Sequence, residues 1–402
     1  MYINMKPLFI LFCALISITN CYFSEGYHCG VTGESEQPVR EYTIPKFTTI
    51  HKLKSTNDTG GLNVFIDYTS LNMLNLVNEE YIKKVKYIFT RVAKIINKLL
   101  KAKISLPLRF EEEDVRKYCI PNVTLSEEVK KGIEADLIVI PVIRSQKDLC
   151  PGVIASARAC FVNYHSDNRP ILGLVNVGSE YNFTKYDAIT SSIDSLFHEV
   201  THILVFSPVL WPYFLTQPVT KTFYKDGKQI FKIVSPKVLE KARQHFNCST
   251  LNGLELEDYG GAGSAGAHWE SRYMSGDYMT FSDFHDETIS EMTLALFEDR
   301  GWYNVNYYTG GLFRFGKGEG CSFFNDNCID KNGKTPFKQD FCDEFKYPQC
   351  TGDYLSKGLC KLFPEEEKVP IEYQYYDNPA LVGIIAFNGC PVVINPKTWR
   401  TA

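Results

Sequence analysis

Apolar residues recur along this chain with two different periods, and the switches between them predict its elements. Asn78 is suited to capping a helix N-terminus and is followed by Glu79 and Glu80. Beyond it Val85, Ile88, Val92, Ile95, Ile96 and Leu99 share one face of a helix reaching about Ala102. Lys83, Lys84, Arg91, Lys94, Lys98 and Lys101 fall on the opposite face, which reads as solvated. Leu62 to Tyr68 alternates in part like a strand. Asp136 to Ile143 and Ile171 to Gly178 are dense apolar runs bounded by breakers, as interior strands are, with Cys150, Gly152 and Cys160 between them.

A second helix is predicted over about Tyr186 to Phe206. Ile189, Ile193, Leu196, Val200, Ile203 and Leu204 form its apolar stripe, and His198 and His202 lie nearly opposite, beside Ser191, Asp194 and Ser195. The imidazoles should therefore face away from the core, above a helix forming the floor of a cleft. Strand, helix, strands and helix in this order imply an α+β or α/β sheet layer in the first half.

The N-terminal stretch reads differently. Lys6 precedes the apolar run Pro7 to Thr19, the length of a signal-peptide core and too short to span a bilayer, with cleavage expected near Cys21. Leu381 to Ile394 is interrupted by Asn388, Gly389 and Pro391, so no later run reaches the about eighteen apolar residues of a membrane helix. Residues 22 to about 60 are polar and turn-rich and read as a leader or prosegment outside the core.

Composition narrows the class. The 402 residues suffice for two or three domains, and a hydrophobic fraction of 44% belongs to a globular chain. Lys and Arg number 43 against 47 Asp and Glu, a formal charge of -4, which points neither to nucleic acid nor to an acidic membrane surface. Thirteen cysteines fit an oxidising compartment. In that setting the sequons at Asn57, Asn122, Asn182 and Asn247 predict exposed, glycosylated loops.

The chemistry centres on His198-Glu199-Val200-Thr201-His202. Two histidines one turn apart can both reach one ion at roughly 2.0–2.1 Å, the Zn–N distance. Glu199, rotated by about 100°, stands beside the pair and can take a proton from water, which points to peptide-bond hydrolysis. The bland alternative is a solvated polar face. Imidazole ligands in a peptidase motif favour zinc over copper or nickel. Catalytic zinc usually takes three protein ligands, but Val205 and Pro208 stand where the compact pattern has Gly and the third His. Downstream, His245, His268 and His285 are available. His268 stands out because the glycine-rich stretch from Gly260 to Ala267 permits close packing toward a helix already in place; a hydrogen-bonded structural histidine is the alternative.

These residues together resemble the leishmanolysin-type metzincin zinc peptidases. The likeness is carried by His198 to His202, Gly263 to Glu270, Asp277-Tyr278-Met279, the stretches Ser235–Val238, Ala242–Cys248 and Leu254–Asp258, the run Leu294–Gly301 and the Cys-rich segment from Gly320 to Val393. It covers most of the chain from about residue 62. The resemblance implies an α+β fold: a metzincin-like catalytic domain with a twisted mixed sheet and active-site helix, a central helical and loop domain, and a short Cys-rich C-terminal domain. The corresponding divisions are a signal peptide over 1–21, a prosegment over 22–60, a catalytic part over 61–206, a central part over 207–320 and a Cys-rich part over 321–402.

It further implies one Zn2+ held by His198, His202 and His268, Glu199 as general base, and Met279 in an apolar turn beneath the metal, where the residue alone would read as a core methionine. Protein or peptide substrates, secretion or cell-surface location, and a zymogen follow from the same likeness. The zymogen's capping thiol would be Cys29, although an ordinary disulfide is the alternative. Setting aside Cys13, Cys21 and Cys29 leaves ten cysteines, among which the family suggests Cys119 with Cys160 and Cys248 with Cys321. Three departures stand out: Val205 replaces the family's Gly at a sharp turn, Thr280 follows Met279 in place of Ala-Pro, and the sequence stops at Ala402 without the family's longer Cys-rich tail or lipid-anchor signal, leaving Cys350 without an expected partner. Val205 and the missing tail motivate the rival reading, a binding or adhesion glycoprotein that keeps the fold without turnover.

Overall fold

A computed structural model of the chain describes residues 38–45, 60–145, 147–149, 153–164, 166–180, 186–214, 216–223, 229–258, 264–281, 287–352, 354, 356–364, 371–378 and 381–394. The signal segment, Cys29, Cys150, the sequons at Asn57 and Asn182, and His285 lie outside the described residues.

The elements that position the site are, in chain order, β1 (Arg40–Tyr42), β2 (Val64–Ile66), α1 (Glu79–Leu99), β3 (Leu100–Ala102), α2 (Glu112–Tyr118), α3 (Glu127–Lys131), β4 (Leu137–Arg144), β5 (Ala155–Asn163), β6 (Pro170–Gly178) and α4 (Tyr186–Leu204). The main sheet has the order β1-β5-β6-β4-β2. Strands β2, β4 and β6 are parallel, β5 runs antiparallel to β6, and β1 is parallel to β5, so the sheet is mixed.

Its two apolar faces follow from the pleat. Leu137, Val139 and Ile143 of β4 and Val175 and Val177 of β6 join the cluster under α1 and α4. Ile138, Ile140, Val142, Leu172 and Leu174 point to the other side, where α2 and α3 contribute Val115 and Val129. Burial on both faces explains why these strands read as unbroken apolar runs. Helix α1 begins as expected, with Asn78 accepting the Tyr81 N–H at 2.9 Å. It ends three residues before Ala102 because the chain turns extended there and β3 pairs antiparallel with β10 (Tyr303–Val305).

Two strands of the main sheet carry no clear signal in the sequence. Strand β5 carries Arg158 and Cys160 among small residues, which masks its period. Strand β1 lies within the polar stretch expected outside the core, yet Val39 and Tyr42 are buried. Tyr42 stacks on Phe110 at 4.7 Å, and its hydroxyl accepts the Glu111 N–H at 3.1 Å. The packed structure thus begins upstream of residue 60; three residues with two exposed are too few to show a period.

Beyond α4 come the hairpin β7 (Val219–Phe223) and β8 (Gln229–Ile233), then α5 (Pro236–Phe246), β9 (Leu254–Glu255), α6 (Ser271–Met274) and α7 (Glu291–Arg300). Asp299 of α7 caps α5, accepting the N–H groups of Lys237 and Val238 at 2.9–3.0 Å. The buried cluster under α1 and α4 continues through Phe246 and Leu294 to Phe323, Phe341 and Phe387, so the central and Cys-rich parts share one core with the sheet layer. Disulfides pair Cys119 with Cys160, Cys248 with Cys321, Cys328 with Cys390 and Cys342 with Cys360, while Cys350 is a free, exposed thiol. Asn122 and Asn247 are exposed in left-handed turns at φ 62° and 56°. No helix among the described residues is long and apolar enough to cross a membrane.

Candidate active site

Helix α4 is set onto the sheet by its apolar stripe, with Val200, Ile203 and Leu204 fully buried. At Gly173 of β6 the contact is close: an added Cβ would meet Ile203 at 2.5 Å. The lack of a side chain there lets the helix approach directly.

His198 and His202 leave α4 on the side away from the sheet. They are nevertheless buried, which differs from an open cleft floor, because the segment 264–281 folds across them. That segment brings His268, which is fully buried, to the pair. Nε2 of His198 lies 3.0 Å from Nε2 of His202 and 3.2 Å from Nε2 of His268. Of the other two histidines considered downstream, His245 faces elsewhere, with Nε2 2.8 Å from the Phe315 carbonyl.

The outward nitrogens are fixed by their partners. Nδ1 of His198 lies 2.5 Å from the Tyr278 carbonyl, that of His202 2.6 Å from the Phe206 carbonyl, and that of His268 3.1 Å from the Ser264 carbonyl. A carbonyl can only accept, so each Nδ1 carries the proton and each Nε2 presents a lone pair. Burial, followed by the neighbouring His202, lowers His198 to about 3, and burial lowers His202 to about 4. Burial and the other two rings also push His268 well below its ordinary value. Three neutral imidazoles thus turn their acceptor nitrogens to one point. That donor set fits a borderline divalent ion such as zinc, and their second-nitrogen bonds are the ones that orient metal ligands. Glu199 is buried next to His198.

Met279 is fully buried in a turn held by Asp277, whose Oδ1 accepts the Met279 N–H at 2.7 Å. Asp277 Oδ2 accepts the Ser290 N–H at 3.1 Å and the Thr293 hydroxyl at 2.8 Å. Burial raises the Asp277 carboxyl to about 6 against these bonds. Thr280 supports the same turn by donating its hydroxyl to the Asp277 carbonyl at 2.8 Å. Asp277 carried no signal of its own in the sequence beyond its place before Met279. At the end of α4, Val205 is buried and lies outside the left-handed region; the N–H groups of Val205 and Phe206 both reach the Thr201 carbonyl, so the helix ends without the glycine turn. The bend expected to strain a β-branched residue is absent there.

Comparisons with known proteins identify the family. The family model for leishmanolysin matches residues 93–398. A leishmanolysin-like peptidase of Drosophila melanogaster is 30% identical over 327 residues, covering 67% of this chain and 48% of that protein. Leishmanolysin of Leishmania donovani is 32% identical over 245 residues, 60% of this chain and 40% of that protein. The chain therefore spans less than half the length of these curated relatives. With the matched stretch containing all three histidines, the chain belongs to the leishmanolysin family.

Proposed function

We propose that this protein is a zinc-dependent endopeptidase that cuts proteins or peptides outside the cytosol. His198, His202 and His268 hold the metal and Glu199 is the general base. The observation that carries the reading is the convergence of three Nε2 lone pairs, each ring's other nitrogen being committed to a backbone carbonyl. A zinc ion held there supplies Lewis acidity to the scissile carbonyl and to the attacking water. Glu199 accepts the proton of that water and delivers it to the leaving amine. Met279 supplies the apolar floor of the site. The disulfides among the described residues support a secreted or cell-surface location, where such bonds persist. Cys29 acts as the capping thiol of a latent precursor, and Asn57, Asn122, Asn182 and Asn247 carry glycans.

Metal analysis of the secreted protein should give one zinc per chain, and a zinc chelator should abolish cleavage of casein. Glu199→Ala should keep the zinc and lose cleavage by about 10²–10⁴-fold. Undiminished cleavage by that variant rejects the assignment of the base. A folded protein that binds no zinc rejects the enzyme. Cys29→Ser should yield a precursor active without processing; unchanged latency rejects the thiol cap.

A further inference from the structure

Behind the histidines lies a second group of ligating side chains that the reaction does not use. Glu257, Asp258 and Glu270 each bring a carboxylate oxygen within 4.8 Å of the other two. Glu257 and Glu270 are buried and Asp258 is half-buried. The backbone fixes them: the Glu257 N–H donates to the His268 carbonyl at 2.9 Å, and the Glu270 N–H donates to the Glu255 carbonyl at 3.0 Å. Two short segments lie side by side, with an acidic pair on one facing Glu270 on the other.

Glu270 Oε1 accepts the Arg272 N–H at 3.1 Å, but Oε2, equally buried, has no hydrogen-bond partner. Two cations among the described neighbours also have partners outside the group. Lys232 pairs with Glu255 at 2.9 Å, and the Arg272 guanidinium reaches Cys390 Sγ and the Asp326 carbonyl. Three carboxylates held this close away from water repel one another unless a cation or shared protons intervene. An unsatisfied, buried carboxylate oxygen on a member of such a group is a place where a cation or an ordered water can bind.

We propose that Glu257, Asp258 and Glu270 bind a hard divalent cation of the calcium class, separate from the histidine centre. All donors are oxygen, which suits calcium and disfavours zinc, and the half-exposed Asp258 gives a route of entry and room for water ligands. The ion would join the chain before His268 to the chain after it, bracing the segment that delivers this ligand. Its role is positional.

Terbium chloride added to the full zinc-loaded protein tests this without reference to proteolysis, since Trp269, between His268 and Glu270, is placed to sensitise a bound lanthanide. Tryptophan-excited terbium emission should appear, calcium chloride should displace it, and saturating calcium should raise Tm by about 5 °C. Glu257→Gln and Glu270→Gln should each remove the emission and the calcium-dependent shift. Asp258→Asn, the mildest change because its side chain is half-exposed, should weaken calcium binding at least about tenfold. A folded wild type with no terbium emission and a Tm indifferent to calcium overturns the proposal, and is the result that shared protons would give. Emission persisting unchanged in all three variants overturns it as well. Neither result depends on whether the protein is a peptidase.

Discussion

The Tyr278 carbonyl accepts the Nδ1 proton of His198 at 2.5 Å, so the turn carrying Met279 sets the tautomer of a histidine eighty positions earlier. Tyr278 is itself tied to α4: its ring stacks on Phe197 at 4.6 Å and its hydroxyl lies 3.1 Å from the Thr201 hydroxyl. The turn and the helix therefore form one unit. What holds the turn should control the histidine centre.

Asp277→Ala tests this dependence. It would leave the N–H groups of Met279 and Ser290 and the Thr293 hydroxyl without their acceptor in a dry interior. The expected loss is about 2–4 kcal/mol of stability, together with about 10–100-fold weaker zinc binding. Denaturant unfolding and chelator competition measure the two effects. Zinc affinity unchanged despite lost stability would detach the turn from the histidines.

Gly173→Ala should force α4 away from the sheet, because the new methyl would sit 2.5 Å from Ile203 Cγ2. Overpacking of this kind costs about 1–3 kcal/mol. Ile203→Ala in the same chain should recover part of it. A double-mutant cycle on Tm with no coupling between the two sites would contradict the close approach.

Asp299→Ala removes the acceptor for the first amides of α5, whose own N-cap residue Ser235 makes no side-chain cap bond. A stability loss of about 1–2 kcal/mol is expected. Asp299→Asn, which keeps one acceptor oxygen, should lose less. Equal losses for the two variants would mean the carboxylate acts otherwise than as a cap.

Asp340 provides a pH dependence remote from the histidines. Burial lifts its carboxyl to about 7, although the Gly316 N–H donates to it at 2.7 Å and pulls the other way. In the unfolded chain it titrates near its ordinary value of about 3.9. Between these values the native state holds the extra proton, so its contribution falls by about 1.4 kcal/mol per pH unit as pH rises, and levels off above about 7. Asp340→Asn should be more stable than wild type at about pH 8, with the difference vanishing near about pH 4. Parallel stability profiles for the two proteins would refute the assignment.

Much of this fold was readable because some elements are long and periodic. Helix α1 shows its face over 21 residues and announces its start with Asn78, and β4 and β6 are dense because both sheet faces are covered. The His198-Glu199-Val200-Thr201-His202 pattern could be placed on a helix face for the same reason. Strands β1 and β5 of the same sheet carry no such signal: one is three residues long, and the other interleaves Arg158 and Cys160 with small side chains.

The sequence by itself determined the residue types at the centre and the spacing that puts His198 and His202 one turn apart, since helical geometry is local. His268 stood out in the sequence as one of three downstream candidates, but only the tertiary structure decided that all three rings are buried and that each Nδ1 meets a carbonyl. A backbone acceptor is the same group at every residue and leaves no mark in the sequence. Its position depends on how distant segments pack, which is also why the grouping of Glu257, Asp258 and Glu270 becomes visible only in the folded chain.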